Sequence, residues 1–259
     1  MRFTLLLVVM IGISMTTDLS AQTPSAELPA IKIVLCGDST VQNYPLPNER
    51  RGWGQVIGEY LSDKVTIINL AAGGRSTKTF ISEGRLDNAL SQNADYAMIQ
   101  FGHNDSHKSD RPESTDANTD YKDYLKQYID SFAAKDVKIV FVTPMHRRVF
   151  RNGKLVTWLL RYRNAMIDVA EKNKQPLVDL YMLSEVLMES LGPIDSEYLS
   201  CNPKDASHFS PKGAQAMALC ILHDLQRQNH PLAAYIKPDV ASMLKRSTVP
   251  NLAPLPDDQ

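Results

Sequence analysis

A chain of 259 residues with 28 Lys and Arg against 29 Asp and Glu, 43% of it hydrophobic, has the composition of an ordinary globular protein. Long disorder, collagen-like repeats and disulfide-dense mini-scaffolds are excluded, and the length suits one large α/β domain or two small ones. A net charge of −1 supplies no whole-protein field that would gather nucleic acid or anionic membranes.

Taken in chain order, Arg2 precedes an apolar run from Phe3 to Met15, and Leu19-Ser20-Ala21 offers a small-residue cleavage site. That layout predicts a secretory signal peptide over residues 1–21 and a secreted or periplasmic mature protein. An uncleaved anchor is the competing reading, and no later segment is long and apolar enough to span a bilayer. Residues 22–30 read as a linker and 31–246 as the folded domain. Residues 247–259, with Pro250, Pro254 and Pro256, read as a loose C-terminal tail. Of three cysteines, Cys36 ends an apolar run and reads as a small core residue; whether Cys201 and Cys220 pair stays open.

Apolar, β-branched runs predict strands at 31–36, 65–70, 96–101, 137–143 and 177–180. Helical spacing predicts helices at about 54–61, 121–135, 155–173 and 211–228. Leu155, Leu159, Tyr162, Met166 and Val169 form one apolar stripe; Ala214, Met217, Ala218, Ile221 and Leu225 form another. Ser210-Pro211 is a helix start, with Ser as N-cap and Pro at the first helical position. Strand–helix alternation of this kind specifies a parallel sheet flanked by helices, whose ligand site lies beyond the carboxyl ends of the strands.

The segments after the strands carry the chemistry. Gly37-Asp38-Ser39-Thr40 follows the first strand and would lift the Ser39 hydroxyl to the rim of the sheet, although the same residues make an ordinary strand-to-helix turn. Gly73-Gly74 follows the second strand, where a glycine lets a ligand approach a backbone N–H; a plain turn is the alternative. Gly102-His103-Asn104-Asp105 follows the third, and the Asn104 amide there can donate to a developing negative charge. His103 and His107 lie four apart, but the intervening glutamate of the common zinc motif is missing, so metal binding is the weaker reading. Ahead of the last helix, Asp205 precedes His208 by three residues, the spacing at which a carboxylate orients an imidazole; a turn cap beside a surface histidine is the rival. Each signal is weak alone. Together, at ligand-binding positions of one sheet, they make the constellation of acyl transfer to water.

These residues resemble the four blocks of the SGNH (GDSL-like) hydrolase superfamily, in its order, from about residue 31 to 228. Three further stretches are similar to its rhamnogalacturonan acetylesterase branch. They are Arg51-Gly52-Trp53-Gly54, Gly74-Arg75-Ser76-Thr77-Lys78-Thr79-Phe80 with Glu83-Gly84-Arg85, and Thr143-Pro144 followed by Arg147. The resemblance implies a three-layer α/β/α sandwich on a five-stranded parallel sheet of flavodoxin-like order. It implies Ser39 as nucleophile, His208 as general base and acid, and Asp205 as its orienting partner. The oxyanion hole would use the N–H groups of Ser39 and Gly74 and the Asn104 amide. It implies no metal and no organic cofactor.

The implied activity is deacetylation of plant cell-wall polysaccharide, foremost rhamnogalacturonan. Acetylated xylan, another acetylated glycan, or a non-catalytic carbohydrate-binding relative are the alternatives. The expected partner is the acetylated polymer or oligomer, with no nucleic acid or membrane, and a monomer. Arg75, Lys78, Arg85, Arg147, Arg148 and Arg151 lie in or after loops at the cleft edge, where cations can meet uronate carboxylates or simply form ion pairs. Trp53 is expected to stack on a sugar or to pack the core, and the polar loop 106–119 to be a mobile cleft edge. Among the substrate contacts, Arg75, Trp53 and Arg147 are the leading candidates.

Overall fold

The computed structural model describes residues 27–254; the expected signal peptide lies outside them. The chain begins with β1 (Ile31–Gly37), α1 (Trp53–Val56), β2 (Val65–Asn69), α2 (Thr77–Ser82), α3 (Arg85–Leu90) and β3 (Tyr96–Gln100). It continues through α4 (Asp120–Ala133), β4 (Lys138–Val142), a hairpin of β5 (Phe150–Arg151) and β6 (Lys154–Leu155), and α5 (Leu160–Lys172). It ends with β7 (Leu177–Val178), α6 (Leu180–Asp195), α7 (Pro211–Arg227) and α8 (Pro238–Arg246). Among the described residues no helix is long and apolar enough to cross a membrane.

Five strands form one parallel sheet in the order β2-β1-β3-β4-β7. Side chains alternate across it, so each strand feeds two cores. Ile33 and Leu35 of β1 pack with Trp53, Leu183, Ala214, Met217 and Leu244 from α1, α6, α7 and α8. Val34 and Cys36 point the other way, to Phe80, Leu86, Leu125 and Tyr162 from α2, α3, α4 and α5. This burial of both faces is why the strands lack polar alternation. The expected three-layer sandwich is the architecture found.

Local chemistry explains where the elements depart from expectation. The helix expected from residue 155 starts at Leu160, because Asn152 and Gly153 adopt φ of 51° and 76° and close a tight hairpin that draws Leu155 into β6. The strand expected over 177–180 stops at Val178, since the Asp179 carboxylate accepts from the Met182 N–H and opens α6. The helix expected over 54–61 divides into α1 and a 3₁₀ turn at Ile57–Tyr60. Part of the segment expected as a loose tail is packed: Val249–Leu252 forms a 3₁₀ turn with Leu252 buried in the core. The start of α7 is as expected, with Ser210 Oγ accepting from the Gly213 N–H at 3.1 Å and Pro211 in the first turn. Cys36 and Cys220 are buried thiols and Cys201 is half-buried; all three are free.

Candidate active site

The loops leaving β1, β2, β3 and β4 all emerge at the carboxyl edge of the sheet, and the segment before α7 folds over them. That segment is a closed loop. Ser200 pairs with Phe209, the Cys201 N–H donates to the His208 carbonyl at 3.0 Å, and the Arg51 N–H donates to the Phe209 carbonyl at 3.0 Å. Arg148 clamps it further, through its N–H to the Ala206 carbonyl at 2.7 Å and its guanidinium to Ser200 Oγ at 2.8 Å.

Ser39, His208 and Asp205 come together in line. His208 Nε2 lies 2.9 Å from Ser39 Oγ, and His208 Nδ1 lies 2.8 Å from Asp205 Oδ2. Asp205 Oδ1 accepts from the N–H groups of Ser207 and His208, each at 2.9 Å. Partial burial would raise the Asp205 pKa, but these bonds and the neighbouring imidazole outweigh it and hold the carboxyl at about 2. An ionised carboxylate only accepts, so His208 Nδ1 carries the proton and Nε2 is free to receive one from Ser39.

Gly74 and Asn104 face the same cavity of about 430 Å³, which Ser39 and His208 also line. Gly74 has a φ of 79°, a region that favours glycine. The preceding Gly73 N–H is taken by Gln42 Oε1, which joins the loops after β1 and β2. Asn104 Nδ2 donates to the Arg75 carbonyl at 3.0 Å, leaving the second amide proton for a ligand. Larger cavities lie elsewhere among the described residues; those near Tyr198 and Pro250 (about 1000 Å³), Gln175 and His230, and Pro29 and Tyr235 are not lined by Ser39 or His208.

The expected substrate contacts divide. Arg147 lines the cavity, its Nη2 donating to the His103 carbonyl at 3.1 Å while Nε, buried, has no partner among the described residues. Arg75 does not line it: its guanidinium is held by Glu83 at 2.9 Å and by the Gly73 carbonyl at 2.7 Å. Arg85 shares Glu83, and Lys78 reaches the Ser114 carbonyl. Trp53 is fully buried and cannot stack on a sugar. Its glycine neighbours explain this: a Cβ on Gly52 would sit 2.4 Å from the Gln42 carbonyl oxygen, and one on Gly54 2.6 Å from the Val41 oxygen. Both glycines let the Trp53 backbone press against the residues after Ser39. Sequence reasoning missed Gln42, Tyr44 and Arg50, which line the cavity from the loop between β1 and α1.

His103 and His107 diverge. The buried His103 directs Nε2 to Met145 Sδ at 3.0 Å, and burial with the Arg147 charge holds its pKa well below the usual value. His107 Nδ1 pairs with Glu113 Oε1 at 2.6 Å. The loop expected to be a mobile edge is pinned instead. Asp105, fully buried, accepts at Oδ1 from the Thr77 and Thr115 hydroxyls and the Thr77 N–H, and Tyr162 OH shares its single proton between the Asp105 and Thr115 carbonyls.

A serine, an imidazole and a carboxylate in line at the carboxyl edge of a doubly covered parallel sheet have the geometry of nucleophilic hydrolysis, and comparison with known proteins assigns the chain to the carboxylic ester hydrolases. A family model, GDSL-like Lipase/Acylhydrolase, matches residues 35–216, and the chain belongs to that family. It is similar to two proteins of Bacillus subtilis (strain 168). The probable rhamnogalacturonan acetylesterase YesY is 36% identical over 210 residues, covering 79% of this chain and 96% of that protein. The rhamnogalacturonan acetylesterase RhgT is 35% identical over 224 residues, covering 80% and 94%. Among solved structures, the B. subtilis protein YxiM superposes with a TM-score of 0.71 at 29% identity, over 79% of this chain and 58% of that one.

Proposed function

We propose that this hydrolase removes acetyl groups from plant cell-wall polysaccharide, with acetylated rhamnogalacturonan as its substrate, through an acetyl-enzyme on Ser39. The observation that carries the proposal is the Ser39–His208–Asp205 line at 2.9 and 2.8 Å in a cavity shared with Gly74 and Asn104. The substrate class is supported by two relatives at 36% and 35% identity whose names specify rhamnogalacturonan acetylesterase.

Ser39 Oγ attacks the acetyl carbonyl carbon while His208 Nε2 takes its proton. Negative charge gathers on the former carbonyl oxygen, opposite the Ser39 and Gly74 N–H groups and the free Asn104 amide proton. The bond to the sugar oxygen then breaks, and that oxygen leaves with the proton from Nε2. Water, deprotonated by His208, attacks the acetyl-enzyme; acetate departs and Oγ recovers its proton. Asp205 stabilises the imidazolium throughout without taking a proton. Arg147 and Arg50, at the floor and rim of the cavity, provide cations for the carboxylates of a uronate-containing polymer.

The test is acetate release from acetylated rhamnogalacturonan and acetylated xylan at equal acetyl content. Faster release from the first, lost in Ser39→Ala, is the expected result. Preference for xylan would overturn the substrate, and release surviving in Ser39→Ala would overturn the mechanism.

A further inference from the structure

Four fully buried side chains beneath the Ser39 turn take no direct part in these steps, yet they form one hydrogen-bonded chain. Trp53 Nε1–H donates to Gln100 Oε1 at 2.8 Å, and Gln100 Nε2 donates to Thr40 Oγ1 at 2.6 Å. Thr40 Oγ1–H donates to Asp38 Oδ1 at 2.8 Å, and the Thr40 backbone N–H reaches the same oxygen at 2.9 Å. Asp38, Thr40, Trp53 and Gln100 are each at most 1% exposed.

The chain has only one possible direction. An indole N–H can only donate, so the Gln100 oxygen faces Trp53 and its NH₂ faces Thr40. Having accepted that bond, the Thr40 hydroxyl gives its single proton to the Asp38 carboxylate. The residues on both sides of Ser39 are therefore held from three elements: β1, α1 and the end of β3. Trp53 adds a backbone bond, its N–H donating to the Thr40 carbonyl at 3.0 Å, and Tyr44 OH donates to the Ser39 carbonyl at 2.8 Å. Ser39 itself is only half-buried, so its aim is set by these neighbours.

We propose that Trp53, Gln100 and Thr40 are positioning residues whose donor chain, ending on Asp38, sets the turn that directs Ser39 Oγ toward His208. The proposal rests on the reading of Ser39 as nucleophile. Small displacements of a nucleophile cost rate steeply, on the order of 100-fold for about 1 Å. A core residue that only fills space would tolerate loss of its N–H.

The experiment compares 4-nitrophenyl acetate hydrolysis by wild type, Ser39→Ala, Trp53→Phe, Thr40→Val and Thr40→Ser, with Tm measured for each. Trp53→Phe removes the indole N–H together with part of a fully buried ring, and Thr40→Val removes the hydroxyl at nearly constant volume; each leaves one side of the buried Gln100 amide without its partner. Assayed well below each variant's Tm, which is expected to fall, each is expected to lower kcat roughly 10- to 100-fold with KM close to wild type. Thr40→Ser, which retains the hydroxyl, is expected to recover the rate lost in Thr40→Val. The Trp53→Phe/Thr40→Val double variant is expected to be little worse than the poorer single one, since breaking any one link already releases the turn. Wild-type kcat in Trp53→Phe and Thr40→Val, with Ser39→Ala inactive, would overturn the positioning role alone. So would multiplicative losses in the double variant, or rate losses that vanish at temperatures well below each variant's Tm. Full activity in Ser39→Ala would instead overturn the reading beneath it.

Discussion

Asn104 Nδ2 donates to the carbonyl of Arg75 at 3.0 Å, so the amide at the end of β3 is tethered to the loop that carries Gly74. The two donors expected to face one oxyanion are thereby fixed relative to each other before a substrate arrives, and donors that need no reorganisation are the effective ones. Asn104→Ala is expected to lower kcat by about 10²–10³ while KM changes little, because the contact strengthens only as charge develops. Steady-state kinetics on an aryl acetate check this; unchanged turnover would remove Asn104 from the mechanism.

The low pKa of Asp205, at about 2 against an ordinary 3.8, makes a statement about stability. Partial burial opposes the shift, and the bonds from the Ser207 and His208 N–H groups and from His208 Nδ1 overcome it. The folded value lies below the unfolded one, so the contribution is full above about pH 4 and is lost as pH falls through about 2. The Tm gap between wild type and Asp205→Asn is expected to be widest above pH 4 and to close toward pH 2. A gap that stays constant across that window would contradict the assignment.

Asp105 has the opposite sign. Complete burial raises its pKa from 3.8 to about 7 against the bonds it accepts from Thr77 and Thr115. Between about pH 4 and pH 7 the folded state holds a proton that the unfolded state has released, so this group's contribution weakens as pH rises. Asp105→Asn keeps the accepting Oδ1 and cannot ionise. Its stability relative to wild type is expected to improve across that window, as read by urea denaturation at several pH values. Asp105→Ala, which frees the 106–119 loop from Thr77, is expected to lose stability at every pH.

Arg147 is the one cation of the original six that lines the cavity, and Arg50 joins it from the rim. If these two meet uronate carboxylates, Arg147→Met raises KM for acetylated rhamnogalacturonan while 4-nitrophenyl acetate, which has no carboxylate, is affected far less. Added salt is expected to weaken the polymer reaction alone. Equal effects on both substrates would count against a charge-guided polymer site.

Much of the fold and site was legible because burial on both faces leaves a strong mark in composition. The runs at 31–36 and 96–101 match β1 and β3 closely for that reason. α6 was not legible: Glu185, Glu189 and Ser190 mark its outer side, but the exposed apolar Met182 and Val186 interrupt that face and blur the polar contrast. Ser39, His208, Asp205, Gly74 and Asn104 could be grouped from sequence as one candidate site because each sits beside a turn at a strand end or helix start. Trp53 was harder, since flanking glycines signal close approach without saying to what; here the backbone of Val41 and Gln42 is the neighbour. Charge likewise does not name its partner: Arg75 and Arg148 satisfy Glu83 and Ser200, whereas Arg147 lines the cavity.

The central claim is that Ser39 alone carries the acyl group. It is tested most directly by treating the protein with a serine-directed fluorophosphonate and mapping the adduct by peptide mass spectrometry. A single adduct on Ser39, with loss of acetylesterase activity in step with labelling and no adduct in Ser39→Ala, is the predicted result. Full activity after Ser39 is labelled, or an adduct on another serine that tracks inactivation, would contradict it.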